Sequence, residues 1–234
     1  EGLELIIGGK RMKPFEEGPI AITDENGRLT GERIPKSLAH EKNNKRWHMT
    51  SHIYFFYKGQ LVFQKRSLEK EESPGKLQVS VSGHVDFEEG ATAPELPVQA
   101  AVRESEEESG VRIDFASGRF YQISEENELR RDDAHEHTTA YAYFLTDEEM
   151  KTLEGNYNLA ENDLFCLMSF EQFRERIVQY PDAFAGSLHF LVEKHPEILA
   201  RLKALADDRT SFTPLTAVPP VRAEARNPFQ APSL

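Results

Sequence analysis

Glu104, Glu107 and Glu108 stand at i, i+3 and i+4. At about 100° per residue this spacing brings three carboxylates into one sector of a helix surface. Such crowding is unfavourable unless a cation relieves it. Hard divalent cations take oxygen ligands, and Mg²⁺ in particular combines a few carboxylates with water and substrate phosphate oxygens. The chemistry on offer is therefore recruitment of a metal–diphosphate. A solvated acidic face has the same look, so the three glutamates acquire meaning from their neighbours. On the same wheel Val98, Ala101, Val102, Ser105 and Ser109 gather on another face, small or apolar, suited to pack on a sheet and hold the acids in place.

Seven residues separate Glu95 from the run Arg103-Glu104-Ser105-Glu106-Glu107-Glu108-Ser109-Gly110-Val111. Together they resemble the Nudix box, G-x5-E-x7-R-E-U-x-E-E-x-G-U with U a bulky aliphatic, at Glu95, Arg103, Glu104, Glu107, Glu108, Gly110 and Val111. Two positions depart from it. Eleven residues, not five, separate Gly83 from Glu95, which reads as a six-residue loop insertion within 86–94, and Ser105 stands where an aliphatic is usual. The resemblance implies a Nudix-type α/β/α sandwich with a mixed sheet, and a loop–helix–loop whose Glu104, Glu107 and Glu108 bind Mg²⁺ or Mn²⁺. It also implies that Arg103 makes a structural salt bridge to Glu95.

Beyond the box, residues 20–170 resemble the branch that includes isopentenyl-diphosphate isomerase. The Asn26-Gly27 turn, Thr30-Gly31, His40 and His48, Gln64-Lys65-Arg66, Lys70, Pro74-Gly75 and Gly83-His84 come in that branch's order. This implies a second metal site of His40, His48 and His84 with Glu136 as its acidic partner, ahead of His52, His135 and His137, and Arg66 and Lys70 as diphosphate-contacting cations. Imidazole and carboxylate together suit Mn²⁺ or Zn²⁺, and a guanidinium fork suits phosphate.

Isomerase chemistry needs a matched acid and base, and three residues stand against it. Ser82 occupies the position of the isomerase cysteine, Glu104 stands where arginine is common, and Trp47, the only tryptophan, precedes the hairpin. The expectation is a metal-dependent hydrolase that splits a diphosphate linkage in a nucleoside diphosphate derivative or related metabolite. Glu107, Glu108 and Glu136 are the candidate bases. The alternatives are an isopentenyl-diphosphate isomerase-like enzyme and a non-catalytic Nudix ligand-binding domain.

The elements that must carry these residues can be read from local signals. Short strands and turns open the chain, with Leu3 to Ile7 running into Gly8-Gly9 and Ala21 to Thr23 into Asp24-Glu25-Asn26-Gly27. Ile53 to Tyr57 and Leu61 to Gln64 form a hairpin, and Leu77 to Ser82 a strand that stops at Gly83. Pro97 to Ser109 form a helix, with Pro97 in its first turn and Gly110 just past its end. Strands follow at Val111 to Phe115, Phe120 to Ile123, Thr138 to Leu145 and Leu164 to Met168. This is an α+β pattern. Ser169 with Gln172 makes a capping box for a helix through Gln179, and Ala183 to Ala206 is helical with a break at Pro196.

The expected organisation is a Nudix domain with a β-rich entry over 1–170, C-terminal helices packed on it over 171–207, and a proline-rich tail, extended or disordered, over 208–234. Among 234 residues, 28 Lys plus Arg against 40 Asp plus Glu give a formal charge of −12, which disfavours a broad grip on nucleic acid or anionic membrane. The single cysteine, Cys166, leaves no intramolecular disulfide, and no apolar run reaches membrane-spanning length. The expected setting is cytoplasmic, with a small-molecule diphosphate as partner, no nucleic acid or membrane, and a homodimer left open.

Overall fold

The computed structural model describes residues 6–7, 10–11, 18–39, 41, 46–70, 72–155 and 162–218. His40, the strand start at Leu3, the Gly8-Gly9 turn and residues 219–234 of the expected tail lie outside the described residues.

In chain order, β1 (Ile6–Ile7) pairs with β2 (Lys10–Arg11), and β3 (Pro19–Thr23) with β4 (Leu29–Pro35) ahead of the single turn α1 (Lys36–Ala39). The long strand β5 (His48–Tyr57) follows. It turns into β6 (Gln60–Arg66) through Lys58 and Gly59, whose φ values of 48° and 79° are those of a two-residue hairpin turn matching the strand twist. Next come β7 (Leu77–Gln78), β8 (Val81–His84), α2 (Pro97–Ser109), β9 (Phe120–Gln122), β10 (Leu129–Arg131) and β11 (Glu136–Phe144). The chain goes on through α3 (Asp147–Gly155), β12 (Asn162–Met168), α4 (Phe170–Gln179), α5 (Gly186–Lys194) and α6 (Pro196–Asp207).

β5 organises the sheet because its length lets four partners share it. β3 meets its first residue, β8 pairs antiparallel along Thr50 to Ile53, β6 pairs at its far end, and β11 runs parallel along its other edge from His48 to Phe56. Among the described residues ten strands join this one mixed sheet, an α+β arrangement.

Period-two alternation divides β5 between two cores. Ile53 and Phe55 face Val98 and Ala101 of α2. Tyr54 and Phe56 face the other way, onto Phe170, Phe173 and Ile177 of α4, Leu188 and Leu191 of α5, and Ile198, Leu202 and Leu205 of α6. Burial of each such side chain contributes about 2 kcal/mol. The C-terminal helices thus complete a core that the sheet cannot close alone. Tyr54, Phe55 and Phe56 all belong to the interior.

Several sequence expectations are met residue for residue: α2 spans Pro97–Ser109 with Gly110 in the left-handed conformation (φ 72°), and α4 begins on the Ser169–Gln172 capping box. Others need correction. Leu77 to Ser82 is not one strand but two, broken at Val79–Ser80, and the second passes through Gly83 to His84. Ser80 causes the break by donating to the Val62 carbonyl and accepting from the Phe55 N–H. Val111 to Phe115 is not a strand; the Val111 carbonyl is taken by Ser105, and Asp114 caps a 3-10 turn at Phe115–Ser117. Glu136 lies inside β11 rather than before it. The start of the tail is docked through Phe212 on the C-terminal core and the Leu215 N–H on the Phe120 carbonyl at 2.7 Å.

Candidate active site

α2 lies along the outer edge of β8 and covers its backbone with side chains. Glu108 accepts from the Ser82 N–H at 3.2 Å, and Arg103 donates through Nη2 to the His84 carbonyl at 2.9 Å. An edge strand left open would invite foreign pairing, and here the same contacts fix the acidic helix. Gly83 makes the close approach possible. A Cβ there would fall 2.0 Å from Cγ of Glu104, so the glutamate lies directly over a backbone that has no side chain.

The first departure from the sequence pattern is the spacing of eleven residues between Gly83 and Glu95. Asp86 and Glu95 close the base of the inserted loop reciprocally, the Asp86 N–H donating to Glu95 Oε1 at 2.9 Å and the Glu95 N–H to the Asp86 carbonyl at 3.0 Å. Ser105, the other departure, is fully buried, and its hydroxyl donates to the Val111 carbonyl at 2.7 Å. It ties the chain leaving α2 back to the helix.

Arg103 is the hub of the acids. Its Nη2 lies 2.7 Å from Glu95 and 3.4 Å from Asp86, and its Nη1 lies 2.8 Å from Glu104 and 3.1 Å from Glu107. Burial drives the Glu104 carboxyl well above the usual carboxylate range, against the pull of Arg103 and with the charge of Glu107 adding to the rise. Asp86 is pushed up to about 6 by the same desolvation, which Arg103 opposes. The carboxylates are oxygen donors of the kind a hard divalent cation takes, but they converge on Arg103, and among the described residues no three His, Cys, Asp or Glu side chains are gathered closely enough to hold a metal ion as they stand.

The second group is assembled by strand register. Glu136 of β11 sits beside His48 of β5, and His84 of β8 beside Thr50, which puts all three side chains on one sheet face. The His48 and His84 rings stack with centroids 5.1 Å apart, and His48 Nε2 is 4.0 Å from Glu136 Oε1. Nδ1 of His48 lies 2.7 Å from the Arg46 carbonyl, a contact that requires the proton on Nδ1 and turns Nε2 toward Glu136 as an acceptor. Burial pushes His48 down to about 4, so its ring is neutral. Arg131, which no sequence pattern singled out, holds Glu136 at 3.2 Å and Asp133 at 3.0 Å.

His84 joins the two groups, its carbonyl on Arg103 and its ring on His48. Arg66 is placed differently: Nε donates to the Glu72 carbonyl and Nη1 to Gln78 Oε1, both at 2.8 Å, and Gln78 in turn donates to Gln64. Lys70 lies in the same β6–β7 connection, its N–H on the Ser67 carbonyl. Asp86, beside Arg103, and Lys36, whose charge acts on both Glu104 and His48, stand near these groups although the sequence pattern did not single them out. The insertion hid the first, and nothing local marks the second. Cys166 is on β12 against the C-terminal core, and Trp47 packs with His135, His137 and Arg130, so neither belongs to this site.

The family model for the NUDIX domain matches residues 47–187, from the start of β5 into α5. The chain belongs to the Nudix family. An uncharacterised Nudix hydrolase of Listeria monocytogenes is 29% identical over 153 residues, covering 58% of this chain and 83% of that protein. Another from Clostridium acetobutylicum is 35% identical over 101 residues, covering 42% of this chain and 44% of its own length. A solved structure from Deinococcus radiodurans overlays with a TM-score of 0.58 at 21% identity, covering 75% of this chain and 98% of that one, which speaks to the fold. This Nudix chain is thus related to hydrolases. Among the described residues no helix is long and apolar enough to cross a membrane.

Proposed function

We propose that the chain is a metal-dependent hydrolase that cleaves the diphosphate linkage of a nucleoside diphosphate derivative or related metabolite, with Mg²⁺ or Mn²⁺ held by Glu104, Glu107 and Glu108. The carrying observation is the acidic face of α2 laid on the β8 edge, with Glu104 crossing over Gly83. Bound there, a divalent ion would offset charge on the phosphoryl oxygens and acidify the attacking water.

This chain's residues supply the rest. Water adds to one phosphorus, its proton passes to a carboxylate, and the P–O bridge breaks with the electron pair leaving on the bridging oxygen. Glu107, Glu108 and Glu136 are the candidate acceptors of that proton. His48, His84 and Glu136, with His40, form a candidate second metal site; a neutral imidazole nitrogen facing a carboxylate suits Mn²⁺ or Zn²⁺. Arg66 and Lys70 are assigned to the diphosphate, an assignment that requires Arg66 to exchange its Gln78 contact for a phosphate oxygen.

Isomerisation lacks its acid, since Ser82 stands at the cysteine position and Cys166 lies elsewhere. The complete acid set favours turnover over silent binding. The test is nucleotide and phosphate release from nucleoside di- and triphosphates, nucleotide sugars, dinucleotides and isopentenyl diphosphate with Mg²⁺, Mn²⁺ or EDTA. Cleavage abolished by EDTA is expected, whereas isomerised isopentenyl diphosphate with no cleavage would overturn the reading.

A further inference from the structure

Arg66, half-buried at the end of β6, is held by two uncharged acceptors. Its Nε donates to the Glu72 carbonyl and its Nη1 to Gln78 Oε1, both at 2.8 Å. A guanidinium grips a phosphate bidentately along an edge, either Nε with Nη2 or Nη1 with Nη2. Glu72 occupies the first edge and Gln78 the second. A bidentate grip therefore begins by breaking one of these contacts. The β6–β7 connection lies beside the histidine group: burial dominates the titration of His48 and of Arg131, and the Glu72 charge acts on both.

Strand register puts Gln78 of β7 opposite Gln64 of β6, and Gln78 Nε2 donates to Gln64 Oε1. The charged end sets the direction of this relay. Arginine can only donate, so Gln78 turns its oxygen to Arg66 and its nitrogen to Gln64, which must then offer its own oxygen. The amide nitrogen left over, Gln64 Nε2, is buried without a hydrogen-bond partner among the described residues, on a side chain with no exposed surface. An orphaned N–H in the interior is destabilising.

That orphan is a consequence of docking Arg66. Once the guanidinium leaves, both amides can turn over, so that Gln64 donates to Gln78 and the Gln78 nitrogen faces the place that Arg66 left. The Gln64–Gln78 hydrogen bond survives in either direction. Its inner end then carries an unpaired carbonyl instead of an unpaired N–H, the less costly of the two. The pair is thus built to accept Arg66 and to let it go.

We propose that Gln78 is a positioning residue for Arg66, holding the guanidinium off the diphosphate in the free enzyme and yielding it to the ligand as its amide turns over against Gln64. The inference rests on the hydrolase reading, with Arg66 as a diphosphate contact, and adds that docking on Gln78 lowers the apparent affinity by the fraction of molecules in which Arg66 is engaged.

The test uses the full chain with Mg²⁺ and methylenediphosphonate, a diphosphate analogue that resists hydrolysis, with binding measured by calorimetry and melting followed in parallel. Gln78→Met keeps the volume and removes the acceptor, so it should lower the melting temperature yet tighten binding about fivefold. In an Arg66→Ala background the same substitution should change the affinity by less than about twofold. Gln78→Glu offers an oxygen to each neighbour and lets Gln64 turn and donate, so it should melt at or above the wild type at pH 7. Unchanged or weaker binding by Gln78→Met, tightening that persists without Arg66, or a Gln78→Glu protein that melts below the wild type would overturn the relay. A wild type that cleaves diphosphates without binding the analogue would also overturn it while leaving the hydrolase standing, and one that does neither would remove both.

Discussion

Gly83 shows how a single missing side chain sets the chemistry. Eleven residues separate it from Glu95 where the family pattern has five, yet Glu104 lies over it, and Asp86 and Glu95 tie the ends of the intervening loop together. Gly83→Ala would put a methyl group 2.0 Å from Glu104 Cγ, and the carboxylate has to swing away. The expected outcome is at least a tenfold loss of Mn²⁺ affinity by calorimetry with the secondary structure intact by circular dichroism. Unchanged affinity would show that Glu104 is no ligand. At Ser105 the sequence reading was incomplete for a physical reason. A serine in place of an aliphatic looks like lost packing, but its partner, the Val111 carbonyl, is defined only once the chain has turned at Gly110. Ser105→Val restores the family residue and strands that carbonyl, so thermal or urea unfolding should show a loss of about 1–2 kcal/mol; a stabilised variant would refute the account.

At the scale of elements, what was legible was what local signals decide. Pro97, Gly110 and the Ser169–Gln172 box mark helix ends by interactions within a few residues. The division of Leu77 to His84 into two strands depends on Ser80 reaching Val62 and Phe55, contacts across the sheet that no window of sequence contains. α3 was missed although Thr146 and Glu149 form a reciprocal cap that the T-x-x-E spacing announces. Glu149 also clasps α3 to the sheet, accepting from Arg119 at 2.6 Å and from the Tyr143 hydroxyl at 2.6 Å. Burial alone would raise the Glu149 pKa, but these hydrogen bonds prevail and hold it below the usual range. Because the folded pKa is depressed, the clasp contributes stability above the unfolded pKa and loses it as pH falls through the folded value. Glu149→Gln should therefore lower the melting temperature at pH 7, and the gap to wild type should close in acid below the normal glutamate range. A gap that widens on acidification would contradict this sign.

At the scale of the molecule, the face of the sheet that bears His48 and Glu136 continues into the core shared with α4, α5 and α6. The C-terminal helices thus close the core under that face, and α5 brings Ser187 and Phe190 beside Glu136, which composition alone could not reveal. Ending the chain at residue 169 exposes Tyr54, Phe56 and Phe63, and with each lost apolar contact worth about 2 kcal/mol the shortened protein should show no cooperative melting transition. A sharp transition would mean that the sheet closes its core without them. The formal charge of −12 places the burden of binding an anionic substrate on local features, and the acids of α2 bear it only with a cation.

The most direct measurement is therefore diphosphate cleavage by the wild type and Glu108→Gln across a titration of Mg²⁺ and Mn²⁺. The account predicts cleavage that requires the metal and falls by about a hundredfold or more in the variant, the scale of removing a group that stabilises transition-state charge. Cleavage that persists in EDTA, or a Glu108→Gln protein as active as the wild type, would contradict it.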